Sequence, residues 1–133
     1  MKAVGIVGSP RKGGNTEILV AHCLKAIEEE GLETELIRLA GLNIAGCNAC
    51  AYCLEHEGCS IKDDMPTVFE KMAAADALIV GSPVYYSSAT ALVRGLLERA
   101  GFMSRRGQAF AGKVGGPVVV ARRAGQNFVF AEL

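Results

Sequence analysis

The sequence predicts an α/β fold, a parallel sheet with helices packed on both faces. Three observations carry this. Short apolar runs rich in β-branched residues recur, as in KAVGIVG (2–8), ALIVG (77–81) and PVVVA (117–121). Segments with apolar residues at helical spacing alternate with them. Glycine-containing turns, GSPRKGGNTE (8–17) and GSPVYYSS (81–88), follow the first and third strands. Strands apolar almost throughout belong to a sheet buried on both sides, and strand–helix alternation makes that sheet parallel.

The first strand, 2–8, ends in Gly8. A helix follows at about 16–30, where Val20, Cys23, Leu24 and Ile27 stand at i, i+3, i+4 and i+7 on one stripe. Gly31 suits its C-terminus. ETELIRL (33–39) is the second strand. A cysteine-rich loop separates it from a second helix, which starts with Asp64 as N-cap and runs to about Ala75. Met65, Phe69 and Met72 share one face of that helix. Residues 77–81 form the third strand. The third helix spans about 90–100, with Leu92, Val93, Leu96, Leu97 and Ala100 inward and Gly101 past its end. The Gly-, Arg- and Lys-rich segment 103–116 reads as an irregular surface loop. Pro117 is expected at the start of the fourth strand, 117–121, because proline cannot donate to a ladder. A last helix begins near Gln126.

The 133 residues suit one domain, and half of them are apolar, enough for a core without covalent staples. No apolar run approaches the roughly 18 residues of a membrane span. Lys and Arg number 14, as do Asp and Glu, so the net charge of zero makes no case for nucleic acid or an anionic membrane as partner. The N-terminus does not read as a signal peptide, so a cytoplasmic location is expected. In that reducing compartment, clustered cysteines point to metal ligation or redox chemistry rather than structural disulfides.

Ligands of an open α/β sheet sit at the C-terminal ends of its strands. The 8–17 turn lies there. It is not a Walker A loop, because Gly14-Asn15 stands where Lys-Ser/Thr is required, and it does not fit GxGxxG. It is nonetheless a Gly- and hydroxyl-rich loop feeding a helix N-terminus, which makes an anion site. Ser9, Asn15 and Thr16 add side-chain donors, and Arg11 adds charge. Any βα turn favours Gly, Ser and Asn, so an ordinary connection is the competing reading. In the second turn, Tyr85 or Tyr86 could flank a flat aromatic ring, or both could simply cover the sheet edge. Arg122, Arg123 and Gly125 of a third turn, ARRAGQN (121–127), either complete the pocket or form a solvated basic loop.

Four of the five cysteines fall in CNACAYCLEHEGC, with spacing C-x2-C-x2-C-x5-C. Three readings stay open. Cys47, Cys50, Cys53 and Cys59 can ligate one iron–sulfur cluster; no proline follows the last of them and no second cluster motif exists, so four local ligands are the simplest account. Zinc is the second reading, with His56 able to replace one thiol. The third is a set of redox thiols, since two CxxC units overlap. Cys23 reads instead as a small buried apolar residue, and neighbouring His22 as surface.

Together the turns GSPRKGGNT and GSPVYYSS resemble those of the flavodoxin-like NAD(P)H-dependent FMN reductase family. With the cysteine motif, the sequence resembles the iron–sulfur flavoprotein branch of that family along the whole chain. The resemblance implies a flavodoxin-like three-layer sandwich with strand order 2-1-3-4. It implies FMN, with Ser9, Arg11, Asn15 and Thr16 at the phosphate and Pro83, Val84, Tyr85, Tyr86 and Ser87 bordering the ring. It also implies a [4Fe-4S] cluster on the four cysteines and electron transfer between cluster and flavin. NAD(P)H or ferredoxin would be the redox partner and the protein a homodimer or homotetramer. Two other functions remain open: an FMN or quinone reductase whose cysteines bind zinc or nothing, and a thiol redox sensor without flavin. Family members continue into a fifth strand after the fourth, whereas this chain stops at Leu133. Either the chain is a shortened form of a longer protein, or, if it is whole, the fourth strand is an edge that subunit association must cover.

Overall fold

The computed structural model describes residues 1–133. Its elements are β1 (Lys2–Val7), α1 (Asn15–Glu29), β2 (Glu33–Arg38), α2 (Tyr52–Glu55), α3 (Met65–Ala74), β3 (Ala77–Pro83), α4 (Ala91–Ser104), β4 (Val114–Val120) and α5 (Gln126–Glu132). The four strands form one parallel sheet in the order β2-β1-β3-β4. This is the flavodoxin-like arrangement expected from the sequence. No helix is long and apolar enough to cross a membrane.

Side chains alternate across a strand, so β1 feeds two cores. Val4 and Ile6 join Met65, Met72, Val93 and Leu96 on the α3/α4 side. Ala3 and Val7 join Val20 and Leu24 on the α1 side. Glycine sets the spacing on the α1 face. A Cβ on Gly5 would lie 2.7 Å from Val20 Cγ1, and one on Gly81 would lie 2.4 Å from Val20 Cγ2. Their missing side chains let α1 settle onto the sheet.

Four local expectations are corrected. Pro117 sits inside β4, not at its start. Val114 donates to Asp76 O and Val120 accepts from Val84 N–H, so even-numbered residues of β4 face β3. Pro117 faces outward from this edge strand, where it costs no ladder bond. Secondly, α4 continues through Gly101 to Ser104 and buries Met103, so 103–116 is regular at both ends. Tertiary burial outweighs the weak helix propensity of a single glycine. Thirdly, Cys23 is only half-buried, because the helix turns its buried stripe toward Thr16, Val20 and Leu24. Finally, Asp64 is the N-cap residue of α3 as expected, but its carboxylate makes no capping bond; it accepts from Asn43 N–H at 2.7 Å, and Asp63 Oδ1 takes the Met65 N–H at 3.1 Å.

Candidate functional site

At the C-terminal edge of the central strands, the first two turns enclose a cleft of about 230 Å3. Its lining includes Ser9, Arg11, Asn15 and Thr16 from the first turn, and Pro83 and Tyr85 from the second. The fold thus brings together six of the nine residues expected to touch FMN. Val84, Tyr86 and Ser87 lie outside this lining. Val84 and Ser87 lie against Gly125, whose φ of +91° and crowded Cα position exclude a side chain. Tyr86 is fully exposed. Arg122 and Arg123 are also exposed and do not line the cleft.

The first turn has the chemistry of an anion cradle. Gly14 precedes α1, and no side chain caps the helix. The first helical bond runs from Ile18 N–H to Gly14 O at 3.0 Å, which leaves the N–H groups of residues 15–17 without intrahelical partners. Those groups and the helix dipole favour an anion. Glu17 fixes the approach. Its carboxylate accepts from Gly13 N–H at 2.9 Å and pairs with Arg38 at 2.5 Å. The Arg38 bond first, and the Gly13 amide second, lower its pKa to about 2. This depressed value stabilises the fold above about pH 4.5, and the contribution is lost as the pH falls toward 2. Glu17→Gln is therefore expected to lose less stability than the unsubstituted protein between pH 6 and pH 3, read from urea midpoints at each pH.

The second turn is tight and strained. Tyr85 and Ser88 exchange backbone hydrogen bonds of 2.9 and 3.0 Å around Tyr86 and Ser87. The latter two have φ of +51° and +61°, left-handed values unusual for residues with side chains. Glu132 of α5 holds this conformation from outside by accepting from Ala89 N–H at 2.6 Å and Ser88 Oγ at 2.9 Å. Inside, Thr90 Oγ1 donates to Gly8 O at 2.7 Å, and Ser82 Oγ accepts from Thr90 N–H at 3.1 Å. Ser82 and Thr90 are buried and tie the two turns together. Neither was singled out in the sequence, where a hydroxyl beside a turn is commonplace.

The four clustered thiols line one cavity of about 90 Å3 against α4, together with Ile61, Phe102 and Met103. Ala49 and Ala51 carry φ of +56° and +60°, which reverses the chain between successive cysteines. Ala49 N–H donates to Cys47 Sγ at 3.4 Å, and Cys50 Sγ lies 3.1 Å from Ser60 Oγ. The Ser60 hydroxyl, then the Tyr52 amide, lower the Cys50 pKa. Burial raises that of Cys53, and charge on Cys59, Cys47 and Cys50 adds to the rise. His56 lies outside the cavity and stacks on Tyr52 at 4.3 Å between ring centroids.

Arg99 lines the same cavity and is only 1% exposed. It pairs with buried Asp63 and donates to Ala45 O at 3.3 Å. The sequence carried a signal for it: an arginine three residues after Leu96, on the inward stripe of an amphipathic helix.

The chain matches the family model of NADPH-dependent FMN reductases over residues 1–132. It is 42% identical over 135 residues to an iron–sulfur flavoprotein of Methanocaldococcus jannaschii, covering all of this chain and 69% of the relative. It is 39% identical over 129 residues to an iron–sulfur flavoprotein of Methanosarcina thermophila, covering 96% of this chain and 68% of the relative. Among solved structures, RosB with a bound 8-demethyl-8-formylriboflavin-5′-phosphate intermediate superposes with a TM-score of 0.78 at 20% identity, covering 99% of this chain and 56% of RosB. The apo form of an NADH:FMN oxidoreductase gives 0.73 at 20% identity, covering 98% of this chain and 64% of the other. These two likenesses bear on the fold, and the sequence matches bear on the family: the chain belongs to the NADPH-dependent FMN reductase family of flavin-dependent oxidoreductases.

Proposed function

We propose that this chain is an electron-transfer iron–sulfur flavoprotein that passes electrons between a [4Fe-4S] cluster on Cys47, Cys50, Cys53 and Cys59 and an FMN in the cleft at the strand ends. The observation that carries this reading is the single cavity lined by all four thiols and a buried guanidinium. The donor set is all sulfur, as iron–sulfur centres require. A single zinc ion would draw its four sulfurs to about 3.8 Å from one another, given Zn–S bonds of about 2.3 Å. No three His, Cys, Asp or Glu side chains are gathered closely enough to grip one ion. A cluster places each thiolate on a different iron, so its four ligands need not converge on a single ion. His56 lies outside the cavity, which leaves thiols as its metal-ligating side chains.

Ser9, Thr16 and the N–H groups of residues 15–17 would hold the FMN phosphate, with Arg11 and Asn15 at the rim. Pro83 and Tyr85 would border the ring, and Val84, Tyr86 and Ser87 would shape the turn beside it. When bound, the flavin exchanges electrons singly or in pairs and the cluster singly, which joins NAD(P)H or a ferredoxin to one-electron acceptors. The protein's own part is placement. Buried Ser82 and Thr90 keep the two turns in register, and Phe102 and Met103 give the thiol cavity an apolar wall. No side-chain acid, base or nucleophile takes part.

Protein prepared without oxygen is expected to contain about one FMN and about four iron and four sulfide per chain. Flavin with one zinc or no metal would point instead to a two-electron FMN or quinone reductase. Absence of flavin, with a response to thiol oxidation, would point to a redox sensor.

The protein is proposed to be at least a dimer. Phe128 and Phe130 are exposed on α5, as is Val114 on the edge strand. Burying such surface is worth about 25 cal/mol per Å2. Light scattering at micromolar concentration is expected to give at least twice the 14.0 kDa chain mass, and a monodisperse monomer would refute the assembly.

A further inference from the structure

Arg99 is the one buried side chain whose hydrogen bonding is incomplete. Its Nε is fully enclosed and has no partner. The rest of the guanidinium is engaged with Asp63, Ala45 O and, weakly at 3.5 Å, Ile61 O. A buried N–H of this kind is destabilising when left unmatched. The fold has not avoided this cost by placing an apolar residue there, although the neighbours on α4 are apolar. Arg99 also lines the cavity of the four thiols.

We propose that Arg99 is a positioning and tuning residue for the sulfur-ligated centre. Its positive charge, held in the wall of the thiol cavity, favours the more negative, reduced form of the centre and raises its reduction potential. Asp63 limits that effect by partly neutralising the guanidinium. The proposal rests on the cluster reading above. It extends that reading by assigning control of the potential to an ion pair outside the ligand set.

A loop-holding role would predict something different. Arg99 and Asp63 join α4 to the segment 45–63, so removing either could simply loosen the loop. The test therefore compares the sign of two shifts. Asp63→Asn leaves the guanidinium unopposed, and the second protein combines Asp63→Asn with Arg99→Met, which removes both charges without stranding a carboxylate. Each is purified under argon, assayed for iron and sulfide, and reduced stepwise with dithionite while the visible spectrum is recorded against mediator dyes.

Asp63→Asn is expected to bias the one-electron equilibrium about tenfold toward reduction, an upward shift of about 59 mV. Adding Arg99→Met is expected to reverse that shift, whereas Arg99→Lys in the same background should preserve it. Equal potentials in iron-replete proteins would overturn the proposal. Loss of iron from Asp63→Asn, which retains Arg99, would also overturn it by assigning the pair to loop support. Unsubstituted protein without iron and sulfide would defeat the cluster reading itself, an outcome distinct from both.

Discussion

Replacing Cys50 with serine is expected to remove the iron and sulfide while leaving FMN bound. The same holds for Cys47, Cys53 and Cys59 taken singly. Each thiol borders one small cavity, so no spare cysteine stands ready to substitute. Cys23, the fifth, lies on α1 and lines no part of that cavity. Loss of a residue that merely supports a ligand typically weakens a metal site 10–100-fold, and loss of a ligand should do at least as much. Retained iron is therefore expected to fall at least tenfold in each variant, measured with sulfide by colorimetry under argon. The cleft proposed for the flavin draws its lining from Ser9, Arg11, Gly14, Asn15 and Thr16, with Pro83, Tyr85 and Val120, on different segments of the chain. Flavin content should stay near that of the unsubstituted protein. Cys23→Ser is the internal control and should retain both. Full iron in Cys50→Ser would remove the four-ligand assignment.

Gly8→Ala is expected to destabilise the fold by about 1–3 kcal/mol, the usual cost of adding volume to a packed site. A Cβ there would lie 2.0 Å from Val93 Cγ2 and 2.9 Å from Gly81 O. Neither neighbour can yield cheaply. Valine is stiff about χ1, and the carbonyl belongs to β3 and already accepts the Gly8 N–H at 2.7 Å. Relief requires the first turn to move away from the second. That movement also breaks the bond between Thr90 Oγ1 and Gly8 O. The predicted signature is a melting temperature lower by about 4 °C per kcal/mol at this chain length, together with weaker FMN binding in a fluorescence titration. Gly13→Ala makes a useful contrast. Its Cβ would meet nothing within 4 Å, although its φ of +68° makes the substitution strained. Any destabilisation there comes from backbone conformation alone. If Gly8→Ala melts like the unsubstituted protein, the close approach of the two turns is not needed for folding.

Local pattern made most of the architecture legible. The runs at 2–8, 77–81 and 117–121 are apolar on both faces because the sheet is covered on both faces. The stripes of α1 and α4 follow the helical period because one side of each meets that sheet. Expectations failed where a distant partner decides the outcome. The extension of α4 past Gly101 depends on the burial of Met103 in the core beside α3. Pro117 is tolerated within β4 because its position points away from β3, a register that no local pattern reveals. Asp64 is the N-cap residue of α3, but its carboxylate is drawn to Asn43 across the loop, and the Met65 N–H goes to Asp63 instead.

The sequence by itself determined the order of the four strands and the four longer helices, though not the short α2 within the cysteine loop, together with the two turns at the strand ends and the four thiols within 13 residues. All of these depend on the character and spacing of near neighbours, which the chain states directly. Only the tertiary structure decided that Ser9 and Tyr85 border one cleft, that His56 stands apart from the thiols, and that Arg99 lies buried among them with an unmatched N–H. Those facts join residues up to 76 positions apart, as Ser9 and Tyr85 are. They follow from the packing of α4 and the second turn against the sheet, which no local periodicity encodes.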